Sequence, residues 1–173
     1  MRPPELVCER AGVILRPLAE RDAADLRRIL ETPEVRRWWD VAPDDFPWDE
    51  PEAIRLTIWV DDAIAGLIQF GEENEPKYRH ASIDLFLDPP LHGRGIGTEV
   101  VARVVAHLIE DRGHHRITID PAVDNHAAIR SYEKAGFRAV GVMRAYERDV
   151  DGGGWHDGLL MELLAADGAP SGR

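Results

Sequence analysis

Apolar residues change their spacing several times along this chain, and each change marks an element. Val13-Ile14-Leu15 is a short apolar run that reads as a strand, closed by Pro17. From Glu20 to Leu30, Ala23, Leu26, Ile29 and Leu30 recur at helical spacing and predict an amphipathic helix. Thr32 to Pro51 carries too much Pro, Asp and Trp for one regular element. It predicts a short helix followed by an irregular loop suited to ligand contacts. Ile54 to Val60 and Ile64 to Phe70 alternate around the polar pair Asp61-Asp62, the pattern of an antiparallel hairpin, and a further strand spans about Tyr78 to Leu87.

Val100, Val101, Val104, Val105, Leu108 and Ile109 pose a conflict, because their β-branched character favours a strand while their spacing is that of a helix. Periodicity carries more information than propensity, so this segment is expected to be helical. Arg116 to Ile119 reads as a strand closed by Asp120-Pro121, and Asn125 to Ala135 as a helix ended by Gly136. Phe137 to Tyr146 and Trp155 to Leu164 are strands joined across the turn Asp151-Gly152-Gly153-Gly154. The order β-α-(α)-β-β-β-α-β-α-β-β implies an α/β, or mixed α+β, domain whose mixed sheet is wrapped by helices.

At 173 residues the chain suits one domain, with a core over about 12–164 and flexible ends, the last being the Gly, Ala, Pro and Ser-rich stretch Ala165 to Arg173. With 44% hydrophobic residues it has enough to build a core. Its apolar runs fall short of the roughly 18–20 residues of a membrane span. The segment MRPPELVCERAG has no secretory h-region, so a cytoplasmic location is expected. The net charge of −11 disfavours nucleic acid and favours a cationic partner. The single cysteine, Cys8, has no supporting His/Asp arrangement, and the seven histidines lack zinc-site spacing; no metal is expected.

The sharpest local signal is Leu91-His92-Gly93-Arg94-Gly95-Ile96-Gly97-Thr98, between a strand and the Val-rich helix. Closely spaced glycines let consecutive backbone N–H groups approach an anion, and the helix N-terminus adds its positive dipole end. The string is neither a dinucleotide G-x-G-x-x-G nor a P-loop, and a tight connector is its competing explanation. Arg94 can add charge to a phosphate or stay in solvent, and Thr98 can reach a phosphate or bond its own helix backbone. The second signal is the string from Asn125 to Phe137, N-H-A-A-I-R-S-Y-E-K-A-G-F, in which Asn125 and Tyr132 lie seven apart on one helix face.

Together these strings resemble the Gcn5-related N-acetyltransferase (GNAT) superfamily. The resemblance implies a central mixed, mostly antiparallel sheet of about six to seven strands flanked by about four helices. It implies that His92, Gly93, Arg94, Gly95, Ile96, Gly97 and Thr98 cradle the pyrophosphate of acetyl-CoA. Phe86 and Leu87 would bond the pantetheine and thioester through their backbone, with Asn125, Ala128 and Tyr132 contacting the arm from the helix. His92 stands where the family usually has Gln or Arg, a change that backbone phosphate binding tolerates.

Ile83-Asp84-Leu85, Thr118-Ile119-Asp120-Pro121 with Asn125, and Arg37-Trp38-Trp39 further resemble the aminoglycoside 6′-N-acetyltransferases. In that family the acids matching Asp84 and Asp120 bind amino groups of the antibiotic and have been assigned to acceptor activation. The segment from Gly71 to Arg79 is shorter than that family's and lacks its tryptophan pair.

The residues themselves lead to a compatible site. In the strand Ser82 to Leu87, Ile83, Leu85 and Leu87 share one face, and Asp84 and Phe86 the other. An acid there is costly unless a cation or donors meet it, or that face is solvated. Asp120 ends a strand where open sheets gather ligands, although Asp before Pro is also an ordinary turn residue. An ammonium cannot attack a thioester, so one carboxylate must take its proton directly or through water. Tyr132 can protonate the leaving thiolate, hydrogen-bond it, or pack in the core.

Trp38, Trp39 and Asp40 can form part of an aromatic, acidic lid over sugar rings, or an ordinary anchored loop. Glu72 can touch the acceptor or remain a solvated charge. The expected function is acetyl transfer from acetyl-CoA to an amine, the 6′-amine of an aminoglycoside foremost, by a monomer or homodimer. A polyamine or protein N-terminus as acceptor, or an acyl-CoA sensor without turnover, are the rivals.

Overall fold

The computed structural model describes residues 3–10 and 12–168. Its elements in chain order are β1 (Leu6–Val7), β2 (Val13–Pro17), α1 (Ala23–Leu30), α2 (Pro33–Arg36), β3 (Ile54–Val60), β4 (Ala63–Glu73) and β5 (His80–Leu87). There follow α3 (Ile96–Ala106), β6 (Arg116–Ile119), α4 (His126–Lys134), β7 (Arg138–Arg148) and β8 (Trp155–Leu164). One eight-stranded sheet has the order β1-β2-β3-β4-β5-β6-β8-β7, antiparallel at every junction except the parallel β5–β6 pair. The sheet is one strand larger than the upper expectation, because β1 is too short for alternation to announce it. Leu6 and Cys8 flank or belong to that strand and are buried, so the core begins before residue 12. Of the predicted C-terminal tail, Ala165–Asp167 forms a 3-10 turn, and 169–173 lie outside the described residues.

The valine-rich segment is α3, as its spacing requires. Val100, Val101, Val104, Val105 and Leu108 are fully buried against the sheet, each contributing about 1.5–3 kcal/mol of transfer free energy. The helix passes into a π turn at His107–Asp111, a change that apolar spacing alone does not reveal. A second cluster on the opposite face of the sheet joins Leu26, Ile29 and Leu30 of α1 and Val35 of α2 to Leu67 and Phe86. Alternation in β5 feeds both sides, with Ile83, Leu85 and Leu87 entering the α3 side and Phe86 the α1 side. The Thr32 to Pro51 segment consists of α2 and an irregular loop, fastened by the buried Arg55 of β3. Its guanidinium donates to the Pro47 carbonyl at 2.7 Å and pairs with Asp49 at 2.5 Å.

Candidate active site

The functional geometry begins where the parallel pair fails to stay paired. β5 and β6 are in register only at Ala81/Ile117 and Ser82/Thr118, and beyond that point no ladder joins them. Asp84 lies two residues past the last pair on β5, and Asp120 immediately follows β6. The opening holds a cleft of about 450 Å³ lined by both acids, Trp38, Trp39, Tyr132, Tyr146 and Glu147. A second cavity of about 510 Å³ runs past Phe86, Leu87, the glycine turn and the exposed side of α4. The two meet at Trp38, Trp39, Leu85, Asn125 and Tyr132.

Asp84 is exposed to the cleft, whose walls include Trp38, Trp39 and Tyr132, and its Oδ1 accepts the Leu85 N–H at 2.8 Å. Burial pushes its pKa up to about 8, with Asp120 the next cause, and Glu147 and Glu50 adding to it. Near neutral pH such a carboxyl can exchange a proton, which an ordinary surface aspartate cannot do. Tyr132 is buried, and burial, followed by the charges of Asp84 and Asp120, raises its pKa well above the ordinary phenol value. It therefore stays a proton donor throughout the physiological range. Tyr146 is raised to about 12, first by its hydrogen bond to Asp120 and then by burial.

The cofactor-shaped groove is organised by backbone conformation. Gly93 and Gly95 take φ +72° and +80°, a region that side chains with a Cβ disfavour, and Gly95 is the N-cap of α3. Nothing lies within 4 Å of the position a Cβ would occupy on either, so the turn faces open space at the head of a helix. His92 lines the groove, but its Nε2 lies 2.8 Å from the Leu87 carbonyl, so the ring braces the end of β5. Gly97 and Thr98 also line it, as do Phe86, Leu87, Asn125 and Ala128.

Several of these residues already have partners within the protein, or face away from the groove. Arg94 is exposed and absent from the groove wall, while its carbonyl accepts from Arg10 Nη1 at 2.8 Å. Ile96 points into the core and offers the groove no side chain. The Thr98 hydroxyl bonds neither to its own helix nor to open space; it sits 2.8 Å from Ser131 Oγ and ties α3 to α4. Asn125 Oδ1 is used in capping, accepting the Ala128 N–H at 3.2 Å.

Asp40 lines neither cavity and accepts the adjacent Val41 N–H at 2.7 Å. Glu72 is also remote from the cleft, bonded to Arg112 and to His114 at 2.6 Å. Burial, the largest influence on Glu72, opposes ionisation, but these partners outweigh it and lower its pKa. Burial raises the Cys8 thiol to about 11, which keeps it un-ionised and a poor nucleophile.

Tyr146 and Glu147 are the titratable cleft residues that sequence reasoning missed. Both stand in β7, whose alternation gave no sign that a bulge there turns toward Asp120. Glu147 additionally lies 3.3 Å from His156 Nε2. Among the described residues, no group of three or more His, Cys, Asp or Glu could hold a metal ion. None of the described helices is long and apolar enough to cross a membrane.

Comparison with known proteins places these features in context. The family model described as "Acetyltransferase (GNAT) family" matches residues 23–137. The "Probable N-acetyltransferase YjcK" of Bacillus subtilis is 31% identical over 107 residues, 62% of this chain and 58% of that protein. "Aminoglycoside N(6')-acetyltransferase type 1" of Klebsiella pneumoniae is 40% identical over 73 residues, 42% of this chain and 35% of that protein. The chain thus spans well under two thirds of either relative's length. Among solved structures, Mycobacterium smegmatis RimJ in complex with CoA-disulfide superimposes with a TM-score of 0.81 at 23% identity. That match covers 95% of this chain and 89% of RimJ, a likeness of fold.

Proposed function

The chain belongs to the acetyltransferase (GNAT) family, and from that premise we propose that it transfers the acetyl group of acetyl-CoA to a primary amine of a cationic small molecule. The 6′-amine of an aminoglycoside is the acceptor we favour. The observation carrying this reading is the meeting of a glycine-headed groove and an acidic, tryptophan-walled cleft at one tyrosine, Tyr132. The groove suits a phosphate-bearing, elongated thioester, and the cleft suits an amine held as its ammonium.

In the proposed reaction the ammonium loses its proton to Asp84, directly or through a water, and the freed nitrogen attacks the thioester carbonyl carbon. The C–N bond forms, the C–S bond breaks, Tyr132 gives its proton to the departing thiolate, and the second proton of the acylated nitrogen returns to Tyr132 through water, while Asp84 releases the first to solvent. Asp120 holds the acceptor beside Asp84, and Trp38 and Trp39 cover its apolar faces. No nucleophilic side chain is needed, since both reactants are bound side by side. The likeness to the Klebsiella enzyme over 73 residues supports an aminoglycoside as acceptor, as does a cleft of about 450 Å³, large enough for a sugar ring.

The decisive test is acetyl-CoA-dependent thiol release by purified protein against aminoglycosides, spermidine and N-terminal peptides, with the modified amine located by NMR. Rapid acetylation of a 6′-amine is expected. Turnover confined to spermidine or peptides would remove the aminoglycoside assignment, and tight CoA binding without any turnover would make the chain an acyl-CoA sensor.

A further inference from the structure

Strand β7 does not run evenly against β8. Met143 pairs with Gly158 and Glu147 with His156, so Arg144, Ala145 and Tyr146 together oppose Asp157 alone. A bulge of this kind bends a strand and re-aims a side chain. Ala145 takes a left-handed conformation at φ +48°, which a residue with a Cβ disfavours, and its N–H donates to Asp157 Oδ1 at 2.7 Å. Next along β8 is Gly158, where a Cβ would stand 2.9 Å from Tyr146 Cδ1 and 3.2 Å from Met143 Cε. The Tyr146 ring therefore lies against bare backbone, in space that only glycine leaves open.

The same stretch of β8 holds the far side of the acceptor cleft. Val123 N–H donates to the Asp157 carbonyl at 3.0 Å, and Leu159 N–H to the Pro121 carbonyl at 2.8 Å. Ala122 forms an antiparallel bridge with Gly158. Asp120 directly precedes this docked segment, and Tyr146 stands beside Asp120 in the wall of the same cleft, near enough for the carboxylate to raise the phenol's pKa. Asp157, Gly158 and Leu159 thus set the positions of both Tyr146 and Asp120.

We infer that Tyr146 is an acceptor-positioning residue: locked by the β7 bulge and by Gly158, it donates to the Asp120 carboxylate and fixes how that carboxylate meets the acceptor ammonium. A carboxylate offers two oxygens and about four lone-pair directions, and one charge-assisted donor removes much of that freedom. With Asp120 fixed, the ammonium is held at a set distance from Asp84. This inference rests on the acetyl-transfer reading given above, and takes Asp84 as the proton acceptor.

The test is a double-mutant cycle of Tyr146→Phe and Gly158→Ala, read in steady-state acetyl transfer. Tyr146→Phe keeps the ring and removes only the donor. The acceptor KM should rise about tenfold, as expected for losing one charge-assisted hydrogen bond, with acetyl-CoA KM unchanged and kcat within about twofold. Gly158→Ala should raise acceptor KM similarly by displacing the ring, and the double variant should be no worse than the poorer single one.

A wild-type acceptor KM in Tyr146→Phe overturns the inference, as does an equal loss for both substrates, the mark of a merely structural role. Additive losses overturn the part assigned to Gly158. Should Gly158→Ala fail to fold, Tyr146→Phe decides alone. Absence of turnover in the unmodified protein sinks the acetyl-transfer reading itself, an outcome distinct from turnover that ignores Tyr146.

Discussion

Asp84 ionises only near pH 8 because burial opposes its charge most, and Asp120, Glu147 and Glu50 oppose it further. Below that pH the carboxyl holds its own proton and cannot take one from an ammonium. The kcat/KM for the acceptor should therefore rise with pH through about 8. Asp120→Asn deletes a neighbouring anion, favours the ionised form of Asp84, and should move this limb to lower pH; a limb that does not move would belong to another group.

Stability follows the same titration with the opposite sense for function. The folded pKa exceeds the ordinary 3.8, so the contribution is fully present below that value and lost as pH rises through about 8. Asp84→Asn should accordingly melt slightly higher than the unmodified protein at pH 8 and above, the gain being kept small by solvent screening in the open cleft. Transfer should fall about 10²–10⁴-fold, the usual worth of a general base. Calorimetry and thiol release check the two halves, and a lower melting temperature would contradict the burial cost. The placement of Asp84 and Tyr132 at one cleft was legible in the sequence because strand alternation and the helical repeat fix their directions. Tyr146 was not, since a bulge breaks alternation, and Glu72 was misassigned because its partner His114 lies 42 positions away.

Among the elements, α3 and the turn before it carry the cofactor side of the proposed site. Gly95 holds φ +80° as the N-cap, where alanine costs about 1–2 kcal/mol of backbone strain. Gly95→Ala should either distort the turn or pay that strain on binding. The dissociation constant for acetyl-CoA is expected to rise about tenfold by titration calorimetry, while the pH limb assigned to Asp84 stays in place. An unchanged dissociation constant would reduce the turn to a connector. The glycine spacing announced this turn in the sequence, and periodicity identified α3 despite its valines. Neither β1 nor the π turn after α3 was visible, because two residues cannot show alternation and Leu108 faces inward in either helical form. The bond between Thr98 and Ser131 was hidden for a different reason, Ser131 being on a helix 33 residues away.

For the molecule as a whole, the pairing order decides that there is a cleft at all. β6 joins β5 on one side and β8 on the other, leaving β7 at the edge, a long-range choice on which local patterns are silent. The splayed β5–β6 pair opens a single passage with a glycine turn at one end and acids at the other. The acids stand within a chain of net charge −11, so its field and the local charges of Asp84, Asp120 and Glu147 act together on an approaching cation.

Such steering raises association rates by 10–10³ at low ionic strength, on the order of magnitude seen for charged clefts, and it fades once the screening length falls to about 8–10 Å. Between about 10 and 300 mM salt, kcat/KM for an acceptor carrying several ammonium groups should drop on the order of tenfold. For a monoamine of similar shape it should drop much less, because fewer charges feel the field. Stopped-flow or steady-state comparison of the two acceptors separates this from a general salt effect on the protein. Equal losses for both would show that the acids act only at contact range, through the hydrogen bonds and proton transfer assigned to Asp84 and Asp120, and not through the field of the whole chain.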